Sequence, residues 1–83
     1  MDKNYVITKF RVFLEDECGV DAGKLTSDDA LFSSSLLNSL DILRVVSYLE
    51  ETFTIQIGTW EVSLEGFDTM NQISEFVLAK LQG

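Results

Sequence analysis
The stretch SLLNSLDILRVVSYLEETF, residues 35–53, decides how this chain folds. Beyond Asn38 its apolar residues recur at helical spacing: Val45, Val46, Leu49 and Phe53 share one side, with Asp41, Arg44, Glu50 and Glu51 toward water. The pattern predicts an amphipathic helix from Ser39 to about Thr52. Asn38 suits its N-cap, because a side-chain oxygen there accepts a bond from an unpaired N–H of the first turn. Ser39 then takes the first helical position, at the positive end of the helix dipole, where a phosphate ester would lie among free N–H donors. Taken alone, Asn38-Ser39 is an ordinary helix start. Leu40 and Leu43 fit two readings: by default they extend the core stripe, and otherwise they form a small exposed patch for partners.

Upstream, Val6, Phe10, Phe13, Leu14 and Cys18 recur at helical spacing with Lys9, Arg11 and Glu15 between them. This predicts a first helix from about Asn4 to Cys18, stopped by Gly19. Periodicity is lost from Val20 to Leu37, where Gly23, Thr26, Ser27, Asp28, Asp29 and Ser33-Ser34-Ser35 dominate. That segment reads as a long loop pinned by Val20, Leu25, Leu31 and Phe32, and loops of this length inside a small domain are often functional. Downstream, Thr54-Ile55-Gln56-Ile57-Gly58 is too short for a strand without a partner and reads as a connector with inward isoleucines. Trp60 to Leu64 reads as a short helix ended by Gly66. Thr69 and Gln72 form a capping-box pattern before a last helix whose buried stripe is Met70, Ile73, Val77 and Leu81, with Phe76 beside it. The expected fold is all-α: a four-helix bundle of three main helices and one short one, in a single domain spanning 1–83.

Fourteen acidic residues against six basic ones give a formal net charge of −8. From Leu25 to Ala79 the only base is Arg44. Such a surface repels nucleic acid and anionic lipid, so the expected partners are basic. No apolar run approaches the roughly 20 residues of a membrane span, and the start Met1-Asp2-Lys3-Asn4 is no secretory signal, so a cytoplasmic protein is expected. Cys18 is the only cysteine, which excludes an internal disulfide, and its position on the apolar stripe suits a buried small hydrophobe. The chain has no histidine. A self-contained Ser-His or Cys-His catalyst is therefore excluded. Asp28-Asp29 lacks the spaced oxygen ligands and glycine of a calcium loop, so no metal site is expected.

Taken in order along nearly the whole chain, these elements resemble the acyl carrier protein family. The residues that carry the resemblance are Cys18-Gly19-Val20 ending the first helix, the Leu31-Phe32 anchors, and Leu37-Asn38-Ser39-Leu40, similar to the family's Asp-Ser-Leu signature. Leu49-Glu50-Glu51-Thr52-Phe53 and Ile55-Gln56-Ile57 follow, similar to Leu-Glu-Glu-x-Phe and Ile-x-Ile. The resemblance implies that Ser39 carries a covalent 4′-phosphopantetheine arm, placed there from coenzyme A by a separate magnesium-dependent phosphopantetheinyl transferase. The arm would hold acyl or aminoacyl groups as thioesters for partner enzymes in fatty-acid or secondary-metabolite biosynthesis. The chain would then be a monomeric, non-catalytic shuttle, which agrees with the missing histidine.

By the same resemblance, loading ligases or synthases with basic patches would read the second helix through Leu40, Asp41, Leu43, Arg44, Glu50 and Glu51. Three departures bear on that partner set. Asn38 replaces the signature aspartate, Ser35-Leu36 stands where the family often has glycine, and Arg44 occupies a position that is often acidic. Glu65-Gly66-Phe67-Asp68-Thr69 resembles the corresponding segment of stand-alone carriers served by adenylating ligases, D-alanyl carrier proteins among them, and favours a discrete carrier of a specialised pathway. The competing reading is an acidic helical protein-interaction module without a prosthetic group, in which Ser39 is only structural.

Overall fold
The computed structural model describes residues 2–82, and its three α-helices are α1 (Lys3–Glu17), α2 (Asp41–Phe53) and α3 (Met70–Gln82). Helix α1 packs chiefly on α3, and α2 also contacts α3. The core is one cluster: Val6, Phe10 and Leu14 of α1, Val45 and Leu49 of α2, and Met70, Ile73 and Val77 of α3 are all buried. Loop residues Ala22, Leu31, Leu37 and Phe67 are buried among them.

Each helix end has a local cause. Asp2 accepts the Tyr5 N–H at 2.9 Å to start α1. Gly19, at φ 68°, ends α1 in the left-handed conformation, and the Val20 N–H reaches back 3.0 Å to the Leu14 carbonyl. That is the Schellman closure for which glycine is suited, since it carries no Cβ to clash there. Thr69 and Gln72 cap α3 reciprocally: Thr69 Oγ1 accepts the Gln72 N–H, and Gln72 Oε1 accepts the N–H groups of Thr69 and Asp68.

Helix α2 is tied to α1 mostly through side chains on backbone. The Tyr48 hydroxyl donates to the Lys9 carbonyl at 2.8 Å, and the Tyr48 ring stacks on Phe13 with centroids 4.4 Å apart. Burial pushes the Tyr48 phenol above its ordinary pKa. The Arg44 guanidinium donates to the Glu17 carbonyl at 2.8 Å, serving an unpaired carbonyl at the negative end of α1.

Several expectations need correction. Trp60–Leu64 is not a helix: a single 3-10 turn spans Thr59–Glu61, closed by i to i+3 bonds from Glu61 to Gly58 and from Val62 to Thr59. Three residues cannot recover the nucleation cost of an α-helix, and the turn is held instead by Glu61, whose carboxylate takes the Gly58 N–H at 2.8 Å and Lys80 at 2.7 Å. Those bonds, Lys80 first, hold the Glu61 carboxyl below its ordinary pKa. A second 3-10 turn, Ala22–Lys24, lies in the long loop. Leu81 is exposed, whereas Ser74 is fully buried on α3 with its hydroxyl on the Asn71 carbonyl. Cys18 is half-buried at the end of α1, and burial, reinforced by the Asp41 charge, raises its thiol pKa. The isoleucines of the connector do face inward, Ile57 fully and Ile55 partly.

Candidate functional site
The turn carrying Ser39 is built from both of its neighbours. Asn38 Oδ1 accepts the N–H groups of Leu40 at 2.9 Å and Asp41 at 3.1 Å, while Asp41 Oδ2 accepts the Asn38 N–H at 3.1 Å. This reciprocal closure is a capping box with Asn38 as the cap and Asp41 three residues on. Regular α-helix begins only at Asp41, two residues later than the periodicity predicts, and Ser39 and Leu40 form a tighter leading turn. The cap thus stands where expected, but it consumes the N–H groups of Asn38, Leu40 and Asp41. A phosphate ester on Ser39 would therefore not find those donors free, and the anionic Asp41 stands beside it.

Ser39 itself is exposed, and neither its hydroxyl nor its N–H has a hydrogen-bond partner among the described residues. The nearby serines differ. Ser33 donates its hydroxyl to Asp68 Oδ2 at 2.6 Å, and Ser34 donates to the Ala30 carbonyl at 2.5 Å. Ser35 sits at φ 69°. A non-glycine residue in that region carries steric strain, so Ser35→Gly is expected to stabilise the fold by about 0.5–1 kcal/mol, read as a higher urea midpoint. A lower midpoint would show that Ser35 holds its turn by contacts worth more than the strain.

The exposure of Leu40 (73 %) and Leu43 (66 %) overturns their default assignment to the core. With the half-exposed Leu36 they make an apolar fringe around Ser39, while the opposite side of α2 supplies Val45, Leu49 and Phe53 to the core. The charged residues of α2 divide. Glu51 is exposed and its carboxylate makes no hydrogen bond among the described residues. Asp41 is engaged in the cap and Arg44 on α1, whereas Glu50 is half-buried and accepts the Ile57 N–H at 2.9 Å. Glu50 therefore has a structural task in holding the α2–α3 connector.

The residue that pattern reading missed is Asp68, just ahead of α3. Its Oδ1 accepts three successive N–H groups, Leu31 at 3.2 Å, Phe32 at 2.7 Å and Ser33 at 3.0 Å. The Ser33 hydroxyl foremost, then the Ser33, Phe32 and Leu31 N–H groups, hold the carboxyl below its ordinary pKa. Asn71 adds a tie beside it, donating its N–H to the Ser27 carbonyl and its side-chain amide to Asp28. Asp29 in turn accepts the Thr26 N–H, so Asp29 closes a local turn while Asp28 ties the loop to α3.

Because the folded form holds Asp68 at a lower pKa than the unfolded chain, its contribution is present above about pH 4, the ordinary carboxylate pKa, and is lost as pH falls through the folded value. Urea midpoints measured from pH 5 down to 2 should fall less steeply for Asp68→Asn than for the unaltered chain. Parallel curves would remove Asp68 from the acid response.

A family model described as a phosphopantetheine attachment site matches residues 9–77, which take in the Asn38–Asp41 turn and all of α2. An acyl carrier protein of Saccharopolyspora erythraea is 26% identical over 78 residues, covering 94% of this chain and 80% of that protein. No described helix is long and apolar enough to cross a membrane.

Proposed function
The chain belongs to the phosphopantetheine attachment-site family, and from that premise we propose that Ser39 is the residue that bears the arm. Family membership makes the protein a non-catalytic carrier with a covalent 4′-phosphopantetheine group, which supplies a terminal thiol to hold an acyl group as a thioester. The observation that carries the assignment to Ser39 is its freedom: an exposed hydroxyl without a partner among the described residues, on a turn closed by bonds between Asn38 and Asp41 that do not use it. The residues present fit the group, since Asn38 and Asp41 keep the turn closed with or without a substituent on the serine oxygen. Those residues need do no acid–base work, because the phosphopantetheinyl transferase supplies the activating chemistry.

The carrier works with transferase and synthase enzymes, as its family does. The reading extended to this chain is a single monomeric carrier domain in the cytoplasm, a setting that suits a lone cysteine. It is served by a loading ligase or synthase with a basic docking patch. Leu40 on the leading turn and Leu43 and Glu51 on α2 are free to meet such a patch, with Asp41 beside the serine. Arg44 and Glu50 contribute by fixing α2 against α1 and the connector. Electrostatic docking of this kind weakens with added salt.

The test is intact mass before and after incubation with coenzyme A, magnesium and a broad-specificity transferase, followed by fragmentation. One phosphopantetheine group on Ser39 is the expected result. A group found on Ser33, Ser34 or Ser35 would move the site, and no gain would remove it.

A further inference from the structure
We infer that Asp68 is a positioning residue for the modification of Ser39, a reading that rests on Ser39 being the attachment point. The connection runs through a short series of bonds. Asp68 Oδ1 gathers the Leu31, Phe32 and Ser33 N–H groups, its Oδ2 takes the Ser33 hydroxyl, and its own backbone carbonyl takes the Leu31 N–H at 2.7 Å. From Leu31 the tie passes on, because the Leu31 carbonyl accepts the Leu37 N–H at 2.9 Å. Leu37 directly precedes Asn38, whose side chain closes the turn around Ser39. Between these points the segment is folded on itself by the Ser35 N–H on the Phe32 carbonyl and the Ser34 hydroxyl on the Ala30 carbonyl.

The serine turn is thus held at two ends. On one side it is continuous with α2. On the other it depends on a loop whose frame is fixed by one carboxylate at the foot of α3. Leu31 and Leu37, 0 % and 2 % exposed, stay as apolar pegs without that carboxylate, so the loop remains attached when Asp68 is removed. What is lost is the frame that orients the backbone between the pegs, and with it the placement of the Ser39 oxygen. Docking should change little, since Leu43 and Glu51 ride on α2. The expected signature is therefore a fall in kcat with KM preserved, because misplacing a reacting atom by an ångström can cost up to about a hundredfold in rate.

The experiment follows transfer from coenzyme A by a broad-specificity phosphopantetheinyl transferase, with the full chain as the varied substrate, at a temperature where circular dichroism shows each variant folded. Asp68→Ala is expected to lower kcat about tenfold with KM within about twofold of the unaltered chain. Asp68→Asn, which leaves an acceptor oxygen for the three N–H groups, should recover most of the rate. Asp28→Ala, which removes the neighbouring contact with Asn71, should lower the melting temperature without changing kcat. Should Asp68→Ala not fold, Ser33→Ala removes only the hydroxyl bond and is expected to lower kcat about two- to threefold. An unchanged kcat in the folded Asp68 or Ser33 variants, or an equal fall in Asp28→Ala, overturns the inference while leaving Ser39 as the site. Failure of the unaltered chain to accept the arm overturns both.

Discussion

Replacing Ser39 by alanine is expected to abolish prosthetic-group attachment outright, with the mass gain of one phosphopantetheine group absent at any transferase concentration that fully converts the unaltered chain. The loss should be total because no neighbouring hydroxyl can stand in. Ser33 is committed to Asp68 and Ser34 to the Ala30 carbonyl, while Ser35 lies in a strained turn one residue before the Leu36-Leu37 pair. The substitution should leave the fold intact. Asn38 and Asp41 close the turn without the serine side chain, and the exposed Ser39 hydroxyl has no partner among the described residues, so stability should stay within about 0.5 kcal/mol. Intact mass and a thermal melt on the same sample separate the two effects. Retention of the mass gain by Ser39→Ala would remove the serine from the function. A variant that lacks the arm yet keeps full biological activity would favour the interaction-module reading instead.

The three helices were legible because each buries one stripe of a 3.6-residue repeat, and Gly19, Thr69 with Gln72, and Asn38 mark their ends by local chemistry. The turn that carries Ser39 was legible for the same reason: a cap is a bond between residues two or three apart. Leu40 and Leu43 were not, since periodicity registers that a helix face is apolar and not whether another element covers it. Coverage depends on how α1 and α3 approach α2, and Tyr48 and Arg44 fix that approach through the Lys9 and Glu17 carbonyls. Asp68 was hidden more deeply. A carboxylate that gathers three N–H groups from a segment far away in sequence has the same local signature as one that merely solvates a loop. Its traces were its place in Glu65-Gly66-Phe67-Asp68-Thr69, which carries a resemblance but names no contact, and the small polar run Ser33-Ser34-Ser35, which left the loop backbone free to offer those donors. The Trp60 segment misled for the opposite reason, because its residues suit a helix but the Glu61 carboxylate takes the Gly58 N–H and holds the chain in a single turn.

Phe10→Ala should cost about 3–5 kcal/mol, the range for deleting a buried phenylalanine ring. Phe10 is 1 % exposed on the face of α1 that meets the core. Its ring lies 5.4 Å from Phe13 and 6.2 Å edge-on from Tyr48, so the substitution removes burial and two aromatic contacts together. A domain of this size has a folding free energy of about 4–12 kcal/mol, and the change therefore takes a large share of it. The urea midpoint should drop accordingly, with partial unfolding near physiological temperature. The damage would not stay on α1. Tyr48 and Arg44 hold α2 by bonding to α1 carbonyls, so a displaced α1 releases the helix that the Ser39 turn leads into, and arm attachment should fall along with the folded fraction. Trp60→Ala supplies the contrast: it deletes a larger aromatic, but one that is 87 % exposed, and its cost should stay below about 1 kcal/mol. Equal destabilisation by the two substitutions would mean that the core is not organised around α1, whereas a wide gap between them locates the stability of the Ser39 turn in the buried face of α1.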